Sequence, residues 1–214
     1  MNFYQTLIEQ TKAERNELLS IPILQKAVKG EIDTNTYHQF LIEAYHHVKH
    51  TTPLLMACGS RLPGELEWLR EAVGEYIEEE IGHQEWVLND ITAVGGNAED
   101  VRHGHPSVAT ELMVSYAWDT IQRINPVGFF GMVLVLEGTS VQLATQAAEA
   151  IQKSTGLSDK AFSYLTSHGS LDVEHISFFE KLMNKLEDPK DQEAVIHCAR
   201  IMYKLYGDIF RGIQ

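Results

Sequence analysis

Apolar residues recur every three or four positions along nearly the whole chain, and two-residue alternation bounded by turn signals is almost absent, so the sequence reads as helical. The pattern predicts helices over residues 2–19, 22–29, 34–58, 64–90, 107–123, 126–153, 158–185 and 189–212. Turn and capping chemistry marks their ends at Gly30 with Asp33, Leu62-Pro63-Gly64, Gly95-Gly96-Asn97, His105-Pro106-Ser107, Asn125-Pro126 and Asp188-Pro189. Pro53 falls inside the third segment and is expected to kink or end it, because proline has no N–H for the carbonyl four residues back. No Ser/Gly-rich linker and no internal repeat divides the chain. The expectation is one all-α domain over residues 1–214, a bundle of seven to eight helices.

The sixth segment stands apart. Val127 to Leu136 is apolar all round, the character of a helix at the centre of a large bundle, and it runs directly into Glu137. A carboxylate enclosed there must be neutral, ion-paired or bound to a metal.

Two further segments carry ionisable groups on their apolar faces. In the fourth, Leu69, Val73, Tyr76, Glu80, His83 and Val87 form one stripe, so Glu80 and His83 make an E-x-x-H pair pointing the same way. Glu79 also reaches His83 at i, i+4 but sits about 80° off the stripe on a helical wheel, which favours Glu80. An exposed acidic run beside a core histidine would show the same spacing. In the seventh segment Ala161, Leu165, His168, Asp172, His175, Phe179, Leu182 and Leu186 share one seam, giving H-x-x-x-D-x-x-H on successive turns. Three ionisable groups in a row are hard to read as packing, since each buried unpaired charge costs several kcal/mol.

Together these elements supply three carboxylates (Glu80, Glu137, Asp172) and three imidazoles (His83, His168, His175). Mixed carboxylate and imidazole ligands suit iron, with manganese the alternative, and a set of six is the natural complement of two ions in a helix bundle. Tyr45, His47, His50 and Tyr76 are candidates to line the adjoining pocket, although partly exposed helix histidines and core tyrosines would look alike. No catalytic residue beyond the metal ligands is assigned.

Composition narrows the partners. The net charge of −13 and the isoelectric point near 5.1 leave no Lys/Arg cluster for a phosphate backbone, so nucleic acid is not expected. No apolar run approaches the roughly 20 residues that cross a bilayer, and the first residues lack a basic and apolar export signal, so a cytoplasmic protein without membrane contact is expected. Cys58 and Cys198, far apart and outside any C-x-x-C pair, read as reduced core residues, which also excludes a Cys/His zinc site. A homodimer is the base-rate expectation for assembly.

The order E-x-x-H, then an apolar helix with one Glu 54 residues after that His, then H-x-x-x-D-x-x-H starting 31 residues further on, resembles the haem-oxygenase-like dinuclear-iron oxidases and oxygenases. The opening from Ile21 through Gly30 to Tyr45 is similar to the TenA and PqqC branch of the same superfamily. The resemblance implies a haem-oxygenase-like (TenA/PqqC-like) bundle. It also implies that Glu80, His83 and Glu137 hold one iron while His168, Asp172 and His175 hold a second, more labile one, with Glu137 as a candidate bridge. The implied activity is O2-dependent oxidation of a small organic molecule, an amine, amino acid or carboxylic acid. Three other readings share the fold. A TenA-like aminopyrimidine or thiamine hydrolase needs a Cys on the sixth segment, which has none; haem oxygenase needs a proximal His near the first helix, and none precedes His38; a non-catalytic small-molecule or partner-binding member remains open.

Overall fold

The computed structural model describes residues 1–213, with the side chains of Gln142 and of residues 168–175 outside the description; His168, Asp172 and His175 therefore lie outside the described residues. The described chain forms α-helices joined by 3-10 and π turns, with no strand among the described residues. In chain order they are α1 (Phe3–Gln10), α2 (Lys12–Leu19), α3 (Pro22–Ala27), α4 (Thr34–Val48), α5 (Thr51–Arg61), α6 (Glu67–Glu80), α7 (His83–Ala93), α8 (Ala98–His103), α9 (Val108–Asp119), α10 (Phe130–Thr155), α11 (Ser163–Met183) and α12 (Pro189–Gly212).

That is more helices than the seven or eight expected, because three of the expected segments are broken and α8 lay unassigned. The first breaks at Thr11, whose hydroxyl donates to the Leu7 carbonyl. The break between α4 and α5 falls at Lys49, the residue whose carbonyl Pro53 cannot serve; Pro53 itself sits in the first turn of α5, where a missing N–H costs nothing. The third break is at Ile81-Gly82, between α6 and α7. The other boundaries follow their caps. Asp33 accepts from the Thr36 amide at 2.8 Å, Ser107 caps α9, and Asp188 caps α12 ahead of Pro189.

The α10 helix is the centre of the packing. The 3-10 turn that leads into it and its first residues are wholly buried from Val127 to Val135, and it runs against α11 and α12. Glycine makes the α12 contact close: a Cβ on Gly131 would lie 2.5 Å from the Ala199 amide nitrogen and 2.6 Å from the Val195 carbonyl oxygen. Because α11 also packs on α7, the helices bearing His83, Glu137 and the α11 candidates are neighbours. Among the described residues no single helix is long and apolar enough to cross a membrane.

Candidate metal centre

Glu80 ends α6 and His83 begins α7. Between them Ile81 is extended and Gly82 adopts φ 95°, a conformation that side chains other than glycine rarely take. The expectation of one continuous helix over 64–90 is thus corrected. The pair does not stand one turn apart on a single helix but meets across a sharp break, His83 Nδ1 lying 2.9 Å from Glu80 Oε2. Helical breakage here aims both side chains inward, leaving 15% of Glu80 and 5% of His83 exposed. Glu79 is on the exposed side, so the carboxylate facing inward is Glu80. The His83 ring stacks on Trp86 with centroids 4.0 Å apart.

Glu80 and Glu137 line the same cavity, of about 150 Å³. Glu137 is partly buried rather than enclosed, yet its Oε2 is shielded from solvent. Tyr76, one turn before Glu80, lines the cavity too. Burial, and next the negative charge of Glu137, push its phenol well above the usual tyrosine range; Glu79 and Glu80 act in the same direction. The hydroxyl therefore stays protonated among carboxylates.

The α11 helix carries His168, Asp172 and His175, whose side chains lie outside the described residues. Its first turn is held from α7. Fully buried Asp90 accepts from the amides of Ser163 at 3.0 Å and Tyr164 at 2.9 Å, and the Ser163 hydroxyl donates to it at 2.5 Å. One carboxylate thereby caps α11 and ties it to the helix that begins with His83. Asp90 was missed in the sequence, although it sits between Val87 and Ile91 on the inner side of α7, where a polar residue is out of place.

Of the four pocket candidates, His47 and Tyr76 line the cavity, whereas Tyr45 and His50 do not. Two residues of helix turn Tyr45 about 160° from His47. Its ring lies under Lys49, 5.2 Å from Nζ, and its phenol sits beside Arg102. His50 stands at the break before α5, as the residue preceding that helix. A row of aromatic residues that sequence reading did not assign faces the cavity instead: Tyr37, Phe40, Tyr164, Tyr206 and Phe210, drawn from α4, α11 and α12. Rings of Phe40 and Phe210 stack at 6.1 Å, and Tyr206 meets His47 edge-on at 5.9 Å.

The donors here are hard carboxylate oxygens and imidazole nitrogen. Cys58 and Cys198 are free and buried, burial pushes each thiol up to about 12, and neither lines the cavity, so neither adds a sulfur donor to it. Such a set suits iron or manganese. Among the described residues no three His, Cys, Asp or Glu side chains converge to hold an ion, so Glu80, His83 and Glu137 fit one only together with donors from α11.

A family model described as "iron-containing redox enzyme" matches residues 38–207, from α4 into α12 and across every candidate ligand. The chain belongs to this family. The chain shares its architecture with solved structures that cover almost its whole length. A domain of unknown function with a haem-oxygenase-like fold from Shewanella denitrificans aligns with TM-score 0.86 and 21% identity, over 98% of this chain and 91% of that one. A TenA homologue from Pseudomonas syringae gives 0.82 and 12%, covering 98% and 91%, and haem oxygenase-1 from Synechocystis, in complex with haem, gives 0.77 and 12%, covering 100% and 93%. At these identities the likeness establishes the haem-oxygenase-like fold alone. No curated protein sequence matches the chain.

Proposed function

We propose that this family member is an O2-dependent, non-haem di-iron oxidase or oxygenase acting on a small organic molecule. One observation carries the reading: Glu80, paired with His83, and Glu137 border one largely apolar cavity, beside the helix that bears His168, Asp172 and His175. Glu80, His83 and Glu137, completed by a donor from α11, would hold one ion, and the other α11 residues would hold the second. Two ferrous ions bound there would supply electrons and open positions for O2. The remaining work belongs to the chain. Aliphatic and aromatic walls exclude water, the Asp90 cap holds α11 against α7, and Tyr76 keeps its proton on Oη beside Glu137. A TenA-type hydrolysis lacks support, since neither Cys lines the cavity.

The test is anaerobic reconstitution with Fe(II), metal analysis, and then exposure to air. Two irons per chain, a transient visible absorption and loss of iron in His168→Ala are expected. Failure of the wild-type chain to retain iron, with His168→Ala unchanged in metal content and stability, would overturn the proposal. Metal-free turnover of thiamine or an aminopyrimidine would replace it with a hydrolase.

A further inference from the structure

We infer that the substrate carries an uncharged apolar tail lying along α10, away from Glu80 and Glu137, and that Ala144 and Ala147 set the length of tail the site accepts. The assignment of the reacting end to the Glu80 and Glu137 side rests on the function proposed above; the tail is argued from the cavity itself.

The cavity follows one face of α10. Val133, Leu136, Glu137, Ser140, Ala144, Ala147 and Ile151 line it at helical spacing, so it runs along roughly five turns. A compact ring would fill one end of such a space; an extended chain matches its length. Polarity changes along that face. Glu137, Thr139 and Ser140 lie together, and after them α10 offers only Leu143, Ala144, Ala147 and Ile151 among its described lining residues.

The facing wall has the same character at that end. Phe40 and Phe210 stack there, and Tyr37 turns its hydroxyl to the Ala161 carbonyl at 2.8 Å, presenting its ring rather than a free donor. Ile23, Leu24 and Ala27 of α3, with Ile32, close the far side. The hydroxyls of Thr36, Thr51, Tyr164 and Tyr206 and the His47 imidazole are the polar groups on the walls that face α10, with Tyr76 and Glu80 at the Glu137 end. Among the described lining residues, Glu80 and Glu137 are the sole formal charges, and no Lys or Arg is present. A charged or zwitterionic body would lose its hydration beyond Ser140 without a counter-charge, whereas a hydrocarbon body gains by leaving water.

Ala144 and Ala147 are the narrowest side chains on this face and both are buried. Ala147 stands ten residues beyond Glu137, about 15 Å along the helix axis. A tail longer than that must pass over its methyl group. Leucine or phenylalanine at this position would fill the space the tail needs.

The experiment titrates the full-length chain, as purified and with its metal content recorded, with the straight-chain alcohols from 1-hexanol to 1-hexadecanol by calorimetry. Affinity is expected to rise about fourfold per methylene up to a limiting length and then level off. Ala147→Leu and Ala147→Phe should move that limit to shorter alcohols while leaving 1-hexanol unchanged. Ile151→Ala, which enlarges the far end, should move it to longer ones. An affinity independent of chain length, or a limit that stays put in folded variants of both kinds, overturns the inference. Because binding and metal content are measured separately, length selection in a chain that never takes up iron would sink the di-iron reading and leave the tail site standing. Iron uptake without length selection would do the reverse.

Discussion

Gly131→Ala tests the packing that sets α10 in place. The new Cβ would stand 2.5 Å from the Ala199 nitrogen, 2.6 Å from the Val195 oxygen and 2.9 Å from the Cys198 Cβ. Unstrained contacts need about 3.5 Å, so the two helices must part by roughly 1 Å. Two of these three neighbours are backbone atoms of a long helix and cannot rotate away, which puts the cost at the upper end of the overpacking range, about 3 kcal/mol. Alanine's better helix propensity offsets about 1 kcal/mol of that. The net expectation is a loss of about 2 kcal/mol, read as a lower urea midpoint at unchanged slope and a fall in Tm of roughly 4–8 °C.

Gly138 supplies the control, because it lies on the same helix and a Cβ there meets nothing within 4 Å. Gly138→Ala should stabilise by up to about 1 kcal/mol. If Gly131→Ala matches wild type within about 0.5 kcal/mol, or if the two variants shift in the same direction, the close α10–α12 approach is wrong.

Two further predictions concern the site. Gly82→Ala should cost about 1–2 kcal/mol from backbone strain alone, since φ is 95° and the added Cβ touches nothing; Gly82→Asn should cost less, and equal urea midpoints for all three chains would refute the strained break between Glu80 and His83. Asp90→Ala strands two amides and a hydroxyl at the start of α11 and should lower stability by about 3 kcal/mol, with Asn, which keeps one acceptor, about midway; hydrogen exchange at Ser163 and Tyr164 no faster than in wild type would refute the cap.

The helical character, most boundaries and the order of the candidate ligands were legible in the chain because each depends on neighbours a few residues away. Asp33, Ser107 and Asp188 bond to amides two or three positions on, and Pro53 disables a carbonyl four positions back. The wheel phase that separated Glu80 from Glu79 is equally local, and the inward Glu80 matches it. Continuity of a helix is less local. Gly82 is tolerated in a helical pattern, and only the packing of α6 and α7 as separate elements shows that it breaks one.

What tertiary structure alone decided is which distant residues share a space. The cavity wall joins Phe40 to Phe210, and the α11 cap joins Asp90 to Ser163 and Tyr164; no periodicity relates such positions. Tyr45 and His47 looked equivalent as aromatic neighbours on one segment, yet the orientation of α4 sends one toward the cavity and the other under Lys49. The sequence by itself therefore determined the helical elements, their caps and the spacing of the ligand motif. The depth and polarity of the cavity they border came from long-range packing, where burial of apolar area is non-directional and shape is settled by which helices approach closely enough to exclude water.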